Sequence, residues 1–323
     1  MSPELPAALR AALDRELEGV SRKDLAARAA RTSKAYRAGG GSAGVIRDRE
    51  DALAYSLARL PATYAACAAV LGQLKLAAPD FAPRRLLDAG VGPGAASWAA
   101  TEAFALSEAV WIDASAPFLD LAGRLAADGP VSLREPRVLR ADLAGGPWPR
   151  ADLVMASYAL AEIAPAAQLK VALDLWAACD GALALVEPGT PAGFARLRAV
   201  REALVSEDAQ LLAPCPHAGA CPMAEPDWCH FSVRLPRSRD HRLAKGAEVP
   251  FEDEKFAYLI AARASVTGRP APGRVLGTPR VAKPGIDLRI CGPQGLARRT
   301  VARRDKAAHA AARRLGWGDP FDL

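Results

Sequence analysis

The chain has 323 residues, a formal charge of +6, 51% hydrophobic residues and 24% charged ones. That composition belongs to a folded globular protein of one large domain or two, and it excludes disorder as a description of the whole chain. The most apolar stretch, residues 57–78, is interrupted by Arg59, Gln73 and Lys75, so no membrane span is expected.

The first eighteen residues spread acids among the bases and contain no apolar signal segment, which leads to the expectation of a cytoplasmic protein. Residues 1–80 read as a helical region rich in Ala and Leu, with apolar residues three or four apart. The glycines Gly39, Gly40 and Gly41 break the pattern, and Pro61 predicts a kink or a new helix start.

From Arg84 the pattern changes to short apolar runs alternating with helical segments, and residues 81–210 form the predicted core. Five strands are expected, with Asp88, Asp113, Asp142, Ser157 and Glu187 at or near their C-terminal ends. Strands alternating with helices imply a parallel, doubly wound sheet, because parallel neighbours need crossover connections. Ligands of such sheets bind beyond the C-terminal ends of the strands. Residues 211–240 break the alternation with a Pro- and Cys-rich insertion. In residues 241–323 the runs FAYLIAARA and IDLRICG are expected to complete the sheet as an antiparallel pair, ahead of a basic C-terminal extension.

Gly90, Gly92 and Gly94 lie between the first strand and the next helix, where glycine lets the backbone turn tightly and approach a ligand. With Ala95 and Asp113 the segment also fits a dinucleotide fingerprint, so spacing alone leaves two cofactors. Asp88 argues for S-adenosylmethionine, since a carboxylate beside the loop repels a pyrophosphate and suits a sulfonium or ammonium. Asp113 is then assigned to the ribose hydroxyls and Asp142 to the adenine amino group, with a turn cap as the competing role for Asp142. No Asn-Pro-Pro-aromatic motif follows the fourth strand, and no catalytic residue is assigned.

Six cysteines without a signal peptide point to ligands or buried thiols rather than disulfides. Cys67 and Cys179 sit in Ala-rich stretches and read as small buried hydrophobes. Cys215, Cys221 and Cys229 have gaps of five and seven residues between them, and 61 residues separate Cys229 from Cys291. Four soft thiolates suit a tetrahedral zinc or an iron-sulfur cluster, and this wide spacing is unlike the paired cysteines of a zinc ribbon. His217 and His230 could replace a cysteine at a zinc site.

Charge is divided unevenly. Residues 230–323 hold 19 Lys or Arg against 9 Asp or Glu, a surplus of ten that leaves the first 229 residues at −4. A basic third on an acidic body suggests a polyanion-binding face, with Arg298, Arg299, Arg303 and Arg304 as the expected phosphate contacts.

The segments LLDAGVGPGAAS, LVEPGTP, CPHAGACPMAEPDWCHFSVR and DLRICGPQGLARRTVARRD together resemble the methyltransferase-like small-ribosomal-subunit assembly family, whose eukaryotic members work in mitochondria. The likeness covers the chain from about residue 45. It implies a class I methyltransferase (Rossmann-like) fold with S-adenosylmethionine as cofactor, and a four-iron four-sulfur cluster on Cys215, Cys221, Cys229 and Cys291. It also implies partnership with the small ribosomal subunit and its rRNA, either as a methyltransferase or as an inactive assembly factor; separately, a monomer without membrane contact is expected.

Overall fold

In the computed structural model, residues 3–37 and 44–322 are described; the predicted break at Gly39–Gly41 lies outside them. Three helices open the chain: α1 (Ala7–Glu16), α2 (Arg22–Arg37) and α3 (Arg49–Ala77). The last is 29 residues long and starts at Asp48, whose carboxylate accepts from the Asp51 N–H at 2.8 Å. Pro61 lies inside α3 and does not start a new helix. The neighbouring Leu57, Leu60, Ala62 and Tyr64 are all buried, and their packing offsets the lost backbone bond.

The central layer follows as β1 (Arg85–Ala89), α4 (Ala95–Ala103), β2 (Glu108–Asp113), α5 (Ala116–Ala126), α6 (Val131–Arg134), β3 (Arg137–Arg140), β4 (Ala151–Ser157), α7 (Pro165–Ala177), β5 (Cys179–Pro188), α8 (Pro191–Ser206) and β6 (Gln210–Ala213). Then come β7 (Phe231–Pro236), α9 (Arg239–Lys245) and the long β8 (Phe251–Ala262). The main sheet runs β3-β2-β1-β4-β5-β8-β6; β1 to β5 are parallel, and β8 runs antiparallel between β5 and β6. A reversed strand inserted next to the sheet's last strand is the class I methyltransferase arrangement.

Alternation along the strands builds a core on each face. Ala182, Ala184 and Val186 of β5 join Leu86 and Met155 under α3, α4 and α5. Leu183 and Leu185 join Leu87 and Val154 under α7 and α8 on the other face. Cys67 and Cys179 are buried, one in each core.

The run IDLRICG does not extend this sheet, contrary to the sequence expectation. It becomes β11 (Gly285–Gly292) of a second sheet with β9 (Gly273–Val275), β10 (Arg280–Val281), β12 (Gly295–Ala302) and β13 (Pro320–Phe321), covered by α10 (Lys306–Ala312). The reason is pairing: β6 and β7 take the partner edge of β8 along its two halves, leaving no edge for β11.

Candidate cofactor and metal site

The glycine loop leaves β1 with Gly90, Gly92 and Gly94 all at positive φ. At Gly90 a side chain would be impossible twice over, because φ is +75° and an added Cβ would stand 2.7 Å from the Ala159 Cβ. The loop is fixed to the end of β2. Gly90 N–H donates to the Ile112 carbonyl at 2.8 Å, and Gly92 N–H donates to Asp113 Oδ2 at 2.8 Å. Asp113 Oδ1 also accepts from Ser115 N–H at 2.8 Å, so this carboxylate ties the loop to the start of α5. Burial raises its pKa.

Asp88 is turned under α4 rather than out into the loop. It is fully buried, and its Oδ2 accepts from the Ser97 hydroxyl at 2.6 Å. Burial pushes its pKa up to about 6, against the opposing effect of Ser97. Asp142 is exposed and caps the short 3-10 turn Leu143–Gly145, its Oδ1 accepting from Ala144 N–H at 2.8 Å. Glu187, at the end of β5, receives Arg196 Nη1 at 2.5 Å. Burial still outweighs that ion pair and lifts the Glu187 pKa to about 7.

The four cysteines of the C-terminal half line one cavity, with Phe194, Leu197, Met223 and Tyr258 among its other walls. Burial raises the thiol pKa values of Cys215, Cys229 and Cys291, and the neighbouring sulfurs raise them further. Among the described residues, no set of three or more His, Cys, Asp or Glu already stands in metal-ligand geometry. His217 lines the same cavity, whereas His230 is not among its walls: its ring stacks on Trp228, with centroids 5.0 Å apart, and meets the Trp317 ring edgewise.

Two buried arginines, Arg201 and Arg274, hold this segment. Arg201 of α8 donates through Nε to Cys215 Sγ at 3.3 Å and through Nη2 to the carbonyls of His217 and Gly219 at 2.8 and 2.6 Å. Arg274 of β9 donates to the Pro214 carbonyl at 3.1 Å, to the Gly318 carbonyl at 2.9 Å and to Gln73 of α3. It thereby joins the insertion, the C-terminal segment and the N-terminal helices. Trp228 Nε1 donates to the Gly189 carbonyl at 3.0 Å, and Asp227 pairs with Arg289 of β11. Neither arginine carries a local pattern in sequence; only the fold turns them inward.

The second sheet displays Arg298 and Arg299 on β12 and Arg303 and Arg304 in the turn after it, all exposed. Among the described residues none of the four makes an ion pair. They do not form one flat patch, since Arg298 and Arg299 are consecutive on a strand and leave by opposite faces. Arg289, paired with Asp227, stands opposite Arg298 in the register.

The family described as mitochondrial small ribosomal subunit Rsm22 matches residues 49–322. The chain belongs to the Rsm22 family. Its relatives include the human mitochondrial ribosome assembly protein METTL17, 29% identical over an alignment of 292 positions that covers 83% of this chain and 61% of that protein. The mitochondrial Rsm22-cox11 tandem protein 2 of Schizosaccharomyces pombe is 26% identical over 84% of this chain and 43% of its own length. The chain thus spans less than two thirds of the length of either relative. Among solved structures, magnesium protoporphyrin IX methyltransferase of Synechocystis with bound SAM aligns over 67% of this chain and 84% of its own, at 13% identity and a TM-score of 0.42. The expectation of a cytoplasmic location is overturned: the family and both relatives carry mitochondrial descriptions, which point to mitochondria instead.

Proposed function

We propose that this Rsm22-family chain is an assembly factor of the small ribosomal subunit, built on an S-adenosylmethionine-binding fold and holding rRNA on its basic second sheet. The family match carries the ribosomal part of the reading. The cofactor part is supported by the left-handed glycine turn beside Asp113 at the end of β2, where a side chain on Gly90 would collide with Ala159. The phosphate contacts assigned are Arg298, Arg299, Arg303 and Arg304, free of acid partners among the described residues and exposed.

Cys215, Cys221, Cys229 and Cys291 are assigned as ligands of a four-iron four-sulfur cluster. The single observation that carries this is a shared cavity lined by all four sulfurs, drawn from an insertion and from a strand of the second sheet. The donor set fits: four soft ligands, and two buried guanidiniums, Arg201 and Arg274, whose charge opposes the raised thiol pKa of Cys215. Bound there, the cluster supplies four metal–sulfur bonds that cross-link the insertion to β11. These residues position the second sheet and hold it against the main one.

Anaerobic purification followed by iron, sulfide and zinc analysis with a visible spectrum tests the assignment. About four iron and four sulfide per chain, lost together in Cys229→Ser, is the expected result. Stoichiometric zinc without iron would transfer the same four ligands to zinc. A metal-free protein with full RNA affinity would end the reading. Transfer of a labelled methyl group to small-subunit RNA, abolished by Gly90→Val, would identify the chain as an rRNA methyltransferase; RNA binding without transfer identifies it as a binding factor.

A further inference from the structure

A cavity of about 980 Å³ lies between α2, α3, α9 and the C-terminal ends of β4 and β5. Its walls include Tyr55, Arg59, Tyr158, Glu162, Arg196 and Lys245, and none of the four cysteines. It adjoins the glycine loop in two ways. Ala159, next to Tyr158, is the residue that packs under Gly90. Glu162 in the wall lies near enough to Asp113 for its charge to act on that carboxylate.

Tyr158 is the unusual residue of this cavity. Its φ of +59° is left-handed, a conformation that a bulky side chain rarely adopts. The surroundings enforce it: Tyr158 N–H donates to the Val186 carbonyl at 2.7 Å, and its hydroxyl donates to Glu254 Oε1 at 2.7 Å. Arg59 lies 5.6 Å from the ring centroid and is itself held by Glu254 at 2.9 Å. The ring is clamped by backbone, hydroxyl and one face, yet stays only half-buried. Strain of this kind persists where structure over-determines it, and it clusters at ligand sites. Two other cations stand in the walls, each with one carboxylate partner: Lys245 holds Glu252, and Arg196 holds Glu187 through Nη1 while its buried Nε is left without a hydrogen-bond partner for an anion to take.

We propose that this cavity takes one unstacked RNA nucleotide, its base on the Tyr158 ring and its phosphate toward Arg196 and Lys245. The inference rests on the RNA-binding reading above and adds a second contact to it, away from the basic sheet. The volume suits a nucleotide, since small-molecule sites span roughly 300–1,000 Å³. Aromatic stacking accepts any base, and a base read by a protein pocket must leave its own stack. A free nucleotide has the same chemistry, so both sources enter the test.

Calorimetry of the metal-loaded protein with nucleoside monophosphates, and anisotropy of a labelled single-stranded RNA octamer, are read with and without saturating S-adenosylhomocysteine. Two variants are compared with the native chain. Tyr158→Ala removes the stacking face, and Ala26→Trp fills the cavity from α2 at a residue that is not one of the Tyr158 clamp. Octamer and monophosphate are expected to bind alongside S-adenosylhomocysteine, the octamer more tightly. Each variant is expected to weaken both ligands roughly 5- to 150-fold, with S-adenosylhomocysteine affinity unchanged. Displacement of the monophosphate by S-adenosylhomocysteine would overturn the proposal, as would native affinity in both variants or no monophosphate binding by the native chain. Equal affinity for monophosphate and octamer would overturn its RNA part. Failure of the underlying reading looks different: RNA binding would then be indifferent to substitution of Arg298 and Arg299, while the monophosphate result at Tyr158 stands by itself.

Discussion

The main sheet and the second sheet of this chain are held in different ways. The first is buried on both faces, with leucines, valines and alanines of β1, β4 and β5 fully enclosed between two helical layers. Among the described residues, the second encloses Val275, Ile286, Leu288, Ile290 and Ala312, with the partly buried Val301, Leu315 and Phe321 packed against them. Polar restraints add to these: Arg274 to three partners, Asp227 to Arg289, and the proposed thiolate ligation. At roughly 25 cal/mol per Å² of apolar surface, burying these five aliphatic side chains stabilises far less than the two cores of the main sheet do, against the same entropy cost for each ordered residue. Positions that hold the exposed Arg298, Arg299, Arg303 and Arg304 cannot also bury apolar residues, so polar contacts carry a larger share of the holding here than in the main sheet.

The comparison breaks most visibly at its apolar end. Leu183→Ala removes a fully buried side chain from the centre of β5, and about 3 kcal/mol of global stability is expected to go with it. Urea unfolding with a single transition shifted downward is the check; an unchanged midpoint would mean that this face is not the main source of stability.

Next comes pH. Asp88 is fully buried with its pKa raised to about 6, above the ordinary carboxylate value near 4, so its neutral form is the one the fold favours. Its contribution is therefore most favourable below about pH 4 and is lost as pH rises through 6. Asp88→Asn stays neutral throughout and is expected to gain on the order of 2 kcal/mol at pH 8 with little change at pH 4. Identical pH profiles of stability for the two proteins would contradict this.

Arg274→Ala sharpens the contrast from the other side. It strands the buried carbonyls of Pro214 and Gly318, a local loss of about 2 kcal/mol. Hydrogen exchange should quicken in β9, β11 and β12 while β1, β4 and β5 keep their protection. Uniform quickening across both sheets would show that they unfold as one unit. The smallest stability effect belongs to the surface: replacing Arg298, Arg299, Arg303 and Arg304 with Ala should change stability by less than about 0.5 kcal/mol. The same variant should flatten the salt dependence of RNA binding, by roughly 0.7 to 0.9 per lost phosphate contact. An unchanged slope would move the RNA contact elsewhere.

The two regions also differ in how far the sequence reveals them. Alternating apolar runs and the loop Gly90, Gly92, Gly94 carry the main sheet in local pattern, because each parallel strand, crossover helix and turn has its own period. Strand partners have no such signature. That β8 reverses between β5 and β6, and that the IDLRIC strand leaves for another sheet, follow from which edges remain open in the assembled fold. The same holds for the second sheet's fastenings. Cys215, Cys221, Cys229 and Cys291 stand out as residue types at wide spacing, yet Arg201 and Arg274 look like any charged residues until the fold buries them. Tyr158 is equally silent, since a left-handed tyrosine is a product of its clamp and not of its neighbours in the chain.

Hydrogen exchange of the second sheet, measured on the metal-loaded protein and again after anaerobic chelation, tests most directly whether the four sulfurs fasten this region. Chelation is predicted to strip protection from β9, β11 and β12 and leave β1 to β5 as they were. Equal protection of the second sheet in both states would contradict the account.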